Sequence, residues 1–166
     1  MHCFGPGLTF VCGENAAGKS TFGKTLAGVI PAILGNIKYE NVRNIEYVPN
    51  DNFLFSTTVY RNLTMGLRDY QIQDLKFLSQ LLQLNLPTGM EIKTASSINT
   101  GEIQKIKIIR SLLGQSEVVI LDEVISNLSQ SLQFKLYHYL GSIKDRVIIV
   151  IDHNAHMADS FNKVLL

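Results

Sequence analysis

Eight consecutive residues near the N-terminus have the types and the spacing needed to bind a phosphate chain. The pattern G-x-x-x-x-G-K-[ST] is matched without a gap by Gly13-Glu14-Asn15-Ala16-Ala17-Gly18-Lys19-Ser20, with Thr21 next. Small residues let successive backbone N–H groups curl around an anion, and a helix that begins here points its positive end at the same anion. The ammonium of Lys19 would reach the β- and γ-phosphates, and the hydroxyl of Ser20 would coordinate Mg²⁺. The motif therefore predicts a nucleoside triphosphate site.

A pair of carboxylates follows an apolar run later in the chain. Residues 118–121 read VVIL, and Asp122 and Glu123 come directly after them. If this run is a strand that ends beside the phosphate loop, Asp122 could hold Mg²⁺, directly or through water. Glu123 could then face the γ-phosphate and polarise a water molecule. Many strands end in acidic residues, so this assignment depends on the phosphate loop upstream.

The apolar pattern predicts the elements that must position these groups. Short apolar runs predict buried strands at residues 8–12, 118–121 and 147–151, and residues 45–48 and 163–166 also look like strands. Helical spacing predicts a helix from residue 20 that Pro31 closes, helical structure over 60–86, a helix over about 100–113, and a helix around 132–140. In the helix over 100–113, Ile103, Ile106, Ile109 and Leu113 would face inward.

Strands that alternate with helices indicate an α/β fold. Together with the phosphate loop, this order predicts a P-loop NTPase core with a mostly parallel sheet flanked by helices. We expect one domain over residues 1–166, in which about 60–98 form a small inserted helical lobe.

Composition excludes several kinds of partner. Charged residues make up 17% of the chain and the net charge is +1, so no bulk field attracts nucleic acid or an anionic membrane. The longest purely apolar run, at 147–151, is far below the roughly 20 residues that a membrane span needs. Cys3 and Cys12 have no metal or redox spacing. We therefore expect a soluble, cytoplasmic protein that binds no nucleic acid.

Four further segments occur in an order that resembles the nucleotide-binding cassette of ABC transporters, particularly of exporters. The stretch YVPNDNFLFS at 47–56 resembles the Q-loop, with Asn50 in place of its glutamine. Residues 98–102, INTGE, resemble a degraded LSGGQ signature, which keeps Gly101. Residues 122–129 look like the Walker B and D-loop segment, and 147–153 match the strand that precedes the switch histidine, here His153.

The resemblance implies an ATPase that needs Mg²⁺ and works as a pair of cassettes. In the family, ATP lies between the phosphate loop of one cassette and the signature of the other, where Asn99 and Gly101 would contact it. Lys19 and His153 would contact the γ-phosphate, and Glu123 would be the base or the water-orienting residue. Asn50, with Ser20 and Asp122, would contact Mg²⁺. The resemblance also implies a transmembrane partner that tethers a homo- or heterodimer at the inner face of the membrane.

Departures from the family pattern leave alternatives open. Asn99 and Thr100 replace a serine and a glycine, and Asn99 with Glu102 equally fits a capping box that opens a helix. Asn50 is one methylene shorter than glutamine and could be an ordinary turn residue. Ser129 stands where the D-loop aspartate would be. The second hypothesis is therefore a degenerate cassette that binds ATP, hydrolyses it weakly or not at all, and acts as an asymmetric partner or regulatory module.

The region upstream of the phosphate loop is short, because only twelve residues precede Gly13. The resemblance implies an antiparallel β-lobe and an adenine-stacking aromatic residue further upstream. We expect the lobe to be largely missing and the aromatic residue to be absent. His2 and Phe4 are weak substitutes for that aromatic residue. An ABC ATPase that acts on DNA or ribosomes, and a P-loop kinase, are disfavoured, because we find no coiled-coil insertion, basic patch or arginine-rich lid.

Overall fold

A parallel β-sheet forms the centre of the computed structural model, which describes residues 2–14, 16–92, 97–153 and 161–166. Its strands are β1 (Gly7–Cys12), β2 (Ile45–Val48), β3 (Val118–Asp122), β4 (Val147–Ile151) and β5 (Asn162–Leu165). They lie in the order β2-β3-β4-β1-β5, and every pairing within the sheet is parallel. The predicted α/β fold with a mostly parallel sheet is confirmed.

Helices cover both faces of the sheet, which explains why its central strands are apolar runs rather than alternating ones. The helices are α1 (Lys19–Leu26), α2 (Val59–Thr64), α3 (Ile72–Leu81), α4 (Thr100–Leu113) and α5 (Gln130–Ser142). One apolar cluster joins β1, β3 and β4 to α1, and a larger cluster joins the opposite face to the other helices. Every residue of β1 and β3 is buried. In the ranges that the structure describes, no helix is long and apolar enough to cross a bilayer.

Two helical expectations differ from the structure in their boundaries. The stretch over 60–86 forms α2 and α3 rather than continuous helical structure, because Met65 is extended and Gly66 has a φ of +82°. Glycine reaches that left-handed conformation without the steric cost that a side chain adds. Helix α1 ends at Leu26, before Pro31, since Gly28 also takes a positive φ just beyond it.

Helix α4 is buried far more completely than an amphipathic helix would be. The four residues predicted to face inward are buried, and so are Glu102, Gln104, Lys105 and Lys107. The ammonium of Lys105 lies 2.5 Å from the Glu102 carboxylate and donates to the carbonyl of Gln83 at 2.9 Å. Polar partners within the fold therefore allow the polar side of α4 to be buried.

Helices α2 and α3 both pack against α4, and α3 also contacts α5. Their buried residues, among them Leu63 and Leu78, belong to the same apolar cluster as Phe10 of the central strand β1. The boundary of an inserted lobe at about 60–98 stays a prediction.

Candidate functional site

The phosphate loop connects β1 to α1 at the carboxyl edge of the sheet. Ala16 and Gly18 have positive φ values of 67° and 85°, which turn the backbone sharply before α1 begins at Lys19. A Cβ on Gly13 would lie 2.7 Å from the Leu166 carbonyl oxygen, so this position has no room for a side chain. Asn15 lies outside the described residues. The strand–loop–helix context that the motif needs is present.

The ammonium of Lys19 is held inside this loop. Lys19 is 5% exposed, and its Nζ donates to the carbonyl oxygens of Gly13 at 3.1 Å and Glu14 at 2.9 Å. Both partners are uncharged, although a buried ammonium is stabilised best by an anion. A bound phosphate could therefore replace these two carbonyl oxygens as the partner of the Lys19 ammonium.

Asp122 lies beside the first residues of α1. It is 3% exposed at the end of β3, and the Ser20 hydroxyl donates to its Oδ1 at 3.1 Å. These two residues are 102 positions apart in the chain, so their contact depends entirely on the fold. A hydroxyl and a carboxylate form an all-oxygen donor pair of the kind that Mg²⁺ prefers. The residues present fit the metal that the sequence predicts.

The other carboxylate oxygen of Asp122 has a partner that the sequence analysis missed. The hydroxyl of Tyr47, in β2, donates to Oδ2 of Asp122 at 2.5 Å. Burial, followed by the hydrogen bond to Asp122, raises the pKa of Tyr47 above its ordinary value. The available signal was strand alternation, which places Tyr47, Ile120 and Asp122 on one face if β2 and β3 are neighbours.

Glu123 occupies an unusual backbone conformation directly after β3. Its φ is +54°, a region that non-glycine residues adopt at a cost. The N–H of Glu123 donates to the Ile151 carbonyl at 2.9 Å, and its carbonyl accepts from the Ser126 hydroxyl at 2.6 Å. These bonds hold the half-buried residue at the edge of the sheet, one position beyond Asp122.

His153 follows the neighbouring strand β4, so it lies at the same edge of the sheet as Glu123. It is exposed, and its Nδ1 lies 3.4 Å from Oδ1 of Asp152. Asp152 is fully buried and accepts a hydrogen bond from the Tyr137 hydroxyl at 2.7 Å. Burial and the Asp152 carboxylate raise the pKa of Tyr137. The sequence analysis did not single out Asp152 or Tyr137. The hydrogen bond between them fixes the end of β4, directly before His153.

The structure places the amide oxygen of Asn50 among other amides. Its Oδ1 accepts from Asn127 Nδ2 at 3.0 Å and from Gln104 Nε2 at 3.3 Å. Gln104 lies in α4, and Asn127 lies in the loop that follows Glu123. Contact between Asn50 and Mg²⁺ stays a prediction, because it would require Asn50 to exchange these partners for the metal.

A buried lysine of α4 fixes the loop that carries Asn50. Lys107 Nζ donates to the Pro49 carbonyl at 2.5 Å, the Asp51 carbonyl at 3.0 Å and the Asp51 carboxylate at 2.6 Å. Burial lowers the pKa of Lys107, while Asp51 acts in the opposite direction. The buried ammonium of Lys107 thus holds the loop after β2 to α4.

Replacing Lys107 with methionine is expected to destabilise the domain. The change keeps the buried stem and removes three hydrogen bonds, which corresponds to about 1–3 kcal/mol of unfolding free energy. Urea denaturation followed by circular dichroism measures it. Lys76→Met, at an exposed position of α3, is the matched control. Equal stabilities for the two variants would contradict a clamping role for Lys107.

Asn99, in the segment that resembles the signature, caps the N-terminus of α4. Asn99 Oδ1 accepts from the Glu102 N–H at 2.9 Å, which confirms the capping alternative for Asn99. The Glu102 carboxylate instead accepts from the Asn85 N–H at 3.2 Å and pairs with Lys105. A Cβ on Gly101 would lie 3.4 Å from Asn99 Oδ1. Contact of Asn99 and Gly101 with a nucleotide on a second cassette stays a prediction.

Phe4 has a packing role in this structure. Its ring centroid lies 6.1 Å from that of Phe22 on α1, and it packs against the apolar cluster on that face of the sheet. His2 is exposed. A ring packed in this way is a poor platform for adenine stacking.

The site therefore combines four parts at the carboxyl edge of one sheet. The phosphate loop carries Lys19, Ser20 and Thr21, β3 ends in Asp122 and Glu123, β4 leads into His153, and β2 leads into Asn50. The fold brings Ser20 and Asp122 into direct contact. This arrangement can bind a polyphosphate, hold a divalent cation and place a carboxylate beside both.

Comparisons with known proteins identify the family of this chain. The family model for the ABC transporter matches residues 6–126. The lactococcin-G-processing and transport ATP-binding protein LagD of Lactococcus lactis is 28% identical over 93% of this chain and 25% of its own length. The zinc import ATP-binding protein ZnuC 2 of Aliivibrio fischeri is 29% identical over 90% of this chain and 63% of its own.

A solved structure of a bacterial Atm1-family ABC exporter with ATP bound has the same fold. It superposes with a TM-score of 0.81 at 21% identity, over 98% of this chain and 32% of the exporter chain. The chain spans only about a quarter of the length of relatives such as LagD. Because the family model covers most of the chain, the protein belongs to the ABC transporter family, as an ATP-binding domain.

Proposed function

We propose that this domain binds and hydrolyses ATP with Mg²⁺ and thereby drives a transmembrane partner of an ABC transporter. The observation that carries the proposal is the contact between Ser20 and Asp122 at 3.1 Å. This contact lies beside the phosphate loop. Within the described residues, the buried ammonium of Lys19 in that loop donates only to carbonyl oxygens. Members of the family are ATPases. The contact supports a metal–nucleotide site, and the family supports hydrolysis as its use.

Each residue would have a separate task in that reaction. Lys19 would exchange the two carbonyls for phosphate oxygens, and the N–H groups of the loop would bind the same phosphates. Ser20 and Asp122 would hold Mg²⁺, which when bound neutralises part of the phosphate charge. Glu123 would orient or deprotonate the attacking water, and the imidazole of His153 would donate to the γ-phosphate.

Substitution of Ser20 tests the metal part of this proposal. Ser20→Ala is expected to raise the Mg²⁺ concentration needed for half-maximal nucleotide binding roughly tenfold, because it removes one oxygen ligand. Binding of nucleotide without metal is expected to persist. A fluorescent ATP analogue titrated at fixed Mg²⁺ concentrations measures both. Ser142→Ala, whose hydroxyl donates to the Tyr139 carbonyl, is the control. Identical Mg²⁺ dependence in the two variants would exclude Ser20 as a ligand.

The opposite end of the sheet offers a place for the membrane partner. A groove of about 810 Å³ runs between the amino ends of β2 and β3 and the break between α2 and α3. It is lined by Arg43, Arg68 and Arg110, against the carboxyl groups of Glu46 and Asp69. Burial raises the pKa of Glu46, while Arg110 and Arg146 act in the opposite direction. We propose that an acidic segment of the transmembrane partner binds here at the inner face of the membrane, leaving the nucleotide edge for a second cassette.

The degenerate cassette remains the second candidate function, and two observations favour it. The Asn99 oxygen is engaged as a helix cap, and the Asn50 oxygen is engaged by Asn127 and Gln104. Asn50 would need to exchange these amides for Mg²⁺, and Asn99 would have only its Nδ2 group to donate to a phosphate. Mixing the chain with a cassette that carries an intact LSGGQ signature tests this idea. Hydrolysis that rises only in the mixture would support the asymmetric pair, whereas full activity of the chain alone would contradict it.

A further inference from the structure

The side chain of Tyr47, a residue of β2, lies between the sheet and helix α1. It is paired with Ile120 in the register of β2 and β3, and Asp122 is two residues further along β3 on the same face. A Cβ on Gly23 of α1 would lie 3.3 Å from Tyr47 Cε2 and 2.5 Å from Ile151 Cδ1. Glycine at this position therefore leaves room for the tyrosine ring directly beneath the phosphate loop.

The two oxygens of the Asp122 carboxylate have different partners. Oδ2 accepts from the Tyr47 hydroxyl at 2.5 Å, and Oδ1 accepts from the Ser20 hydroxyl at 3.1 Å. The half-buried ring of Tyr47 packs closely against Gly23 of α1, whereas Ser20 lies in the phosphate loop where a cation would bind. The bond to Tyr47 is thus the one that can persist when the metal arrives.

We propose that Tyr47 is a positioning residue for Asp122, which fixes Oδ2 and thereby presents Oδ1 to the divalent cation. This inference rests on the proposed function of Asp122 and Ser20 as metal-binding residues. Hydrogen bonds to a ligating carboxylate orient it, and their loss typically lowers metal affinity. Tyr47 would act on the metal only through Asp122.

A manganese titration of the folded chain tests the proposal without relying on hydrolysis. Electron paramagnetic resonance counts free Mn²⁺ in the presence of a non-hydrolysable ATP analogue. Tyr47→Phe keeps the ring and removes the hydroxyl, and we expect it to raise the Mn²⁺ dissociation constant roughly three- to tenfold. Affinity for the analogue without metal is expected to stay at the wild-type value. Tyr39→Phe is the matched control, because that hydroxyl donates to the Leu26 carbonyl on the surface.

The Asp122→Asn background separates positioning from general support of the fold. If Tyr47 acts through Asp122, Tyr47→Phe has no further effect on Mn²⁺ affinity once the carboxylate is gone. The same loss in both backgrounds would overturn the proposal, and so would wild-type Mn²⁺ affinity in Tyr47→Phe. A parallel loss of metal-free analogue binding would also overturn it, because it would indicate a structural role. A wild-type chain that binds no nucleotide would instead refute the proposed function, and this inference with it.

Discussion

Replacing Glu123 with glutamine is expected to lower ATP hydrolysis by about 10²- to 10⁴-fold while leaving ATP binding intact. General-base or water-orienting groups contribute about this much, and glutamine keeps the shape of glutamate without its charge. Glu123 sits in a left-handed conformation next to Asp122, so its position is fixed by backbone bonds that the substitution leaves in place. Phosphate release under saturating Mg²⁺–ATP measures the effect.

The same variant is expected to accumulate as an ATP-bound pair of cassettes. If hydrolysis separates the two cassettes, slow hydrolysis prolongs the lifetime of the dimer. Size-exclusion chromatography with and without ATP detects that dimer. Glu40→Gln is the control, since Glu40 is an exposed residue that pairs with Lys38. A Glu123→Gln chain that hydrolyses ATP at the wild-type rate and forms no dimer would contradict the proposed mechanism.

Replacing Lys19 with methionine is expected to weaken ATP binding at least about 100-fold, since it removes charge-assisted bonds to the phosphates. The effect on stability should be small by comparison. In the free chain the ammonium is buried with two carbonyl partners, so its removal also relieves the desolvation of a charge. This combination distinguishes a binding lysine from one that supports the fold.

Titration of a fluorescent ATP analogue and urea denaturation measure the two quantities for Lys19→Met. Lys24→Met, at an exposed position later in α1, is the control for removing a positive charge near the site. If Lys19→Met and Lys24→Met bound the analogue equally well, the phosphate loop would not be the nucleotide site.

Relatives of this domain are named for different transport processes. Relatives in this family include proteins named for lactococcin-G processing and transport and for zinc import, and the chain spans only part of each. The ATP-binding edge is the part that this chain itself contains.

Local sequence patterns determined the elements that carry the site. The phosphate loop was predictable from sequence because its chemistry requires particular residue types at four set positions within eight consecutive residues. The strands β2 and β4 and the helix α4 have the predicted bounds. For β4 and α4 the reason is that a continuous β-branched run and helical apolar spacing are local properties of the chain. The Asn99 cap was also predictable, since it spans only three residues.

The tertiary structure decided which of these elements meet. The strand order β2-β3-β4-β1-β5 brings Tyr47 to Asp122 across 75 residues and Ser20 to Asp122 across 102. It also buries the polar side of α4, so that Gln104 and Lys107 reach the loop of Asn50. Periodicity specifies which face of an element is apolar, but it contains no information about which neighbour covers that face. The sequence by itself therefore determined the phosphate loop, and the packing of distant strands decided what surrounds the carboxylate of Asp122.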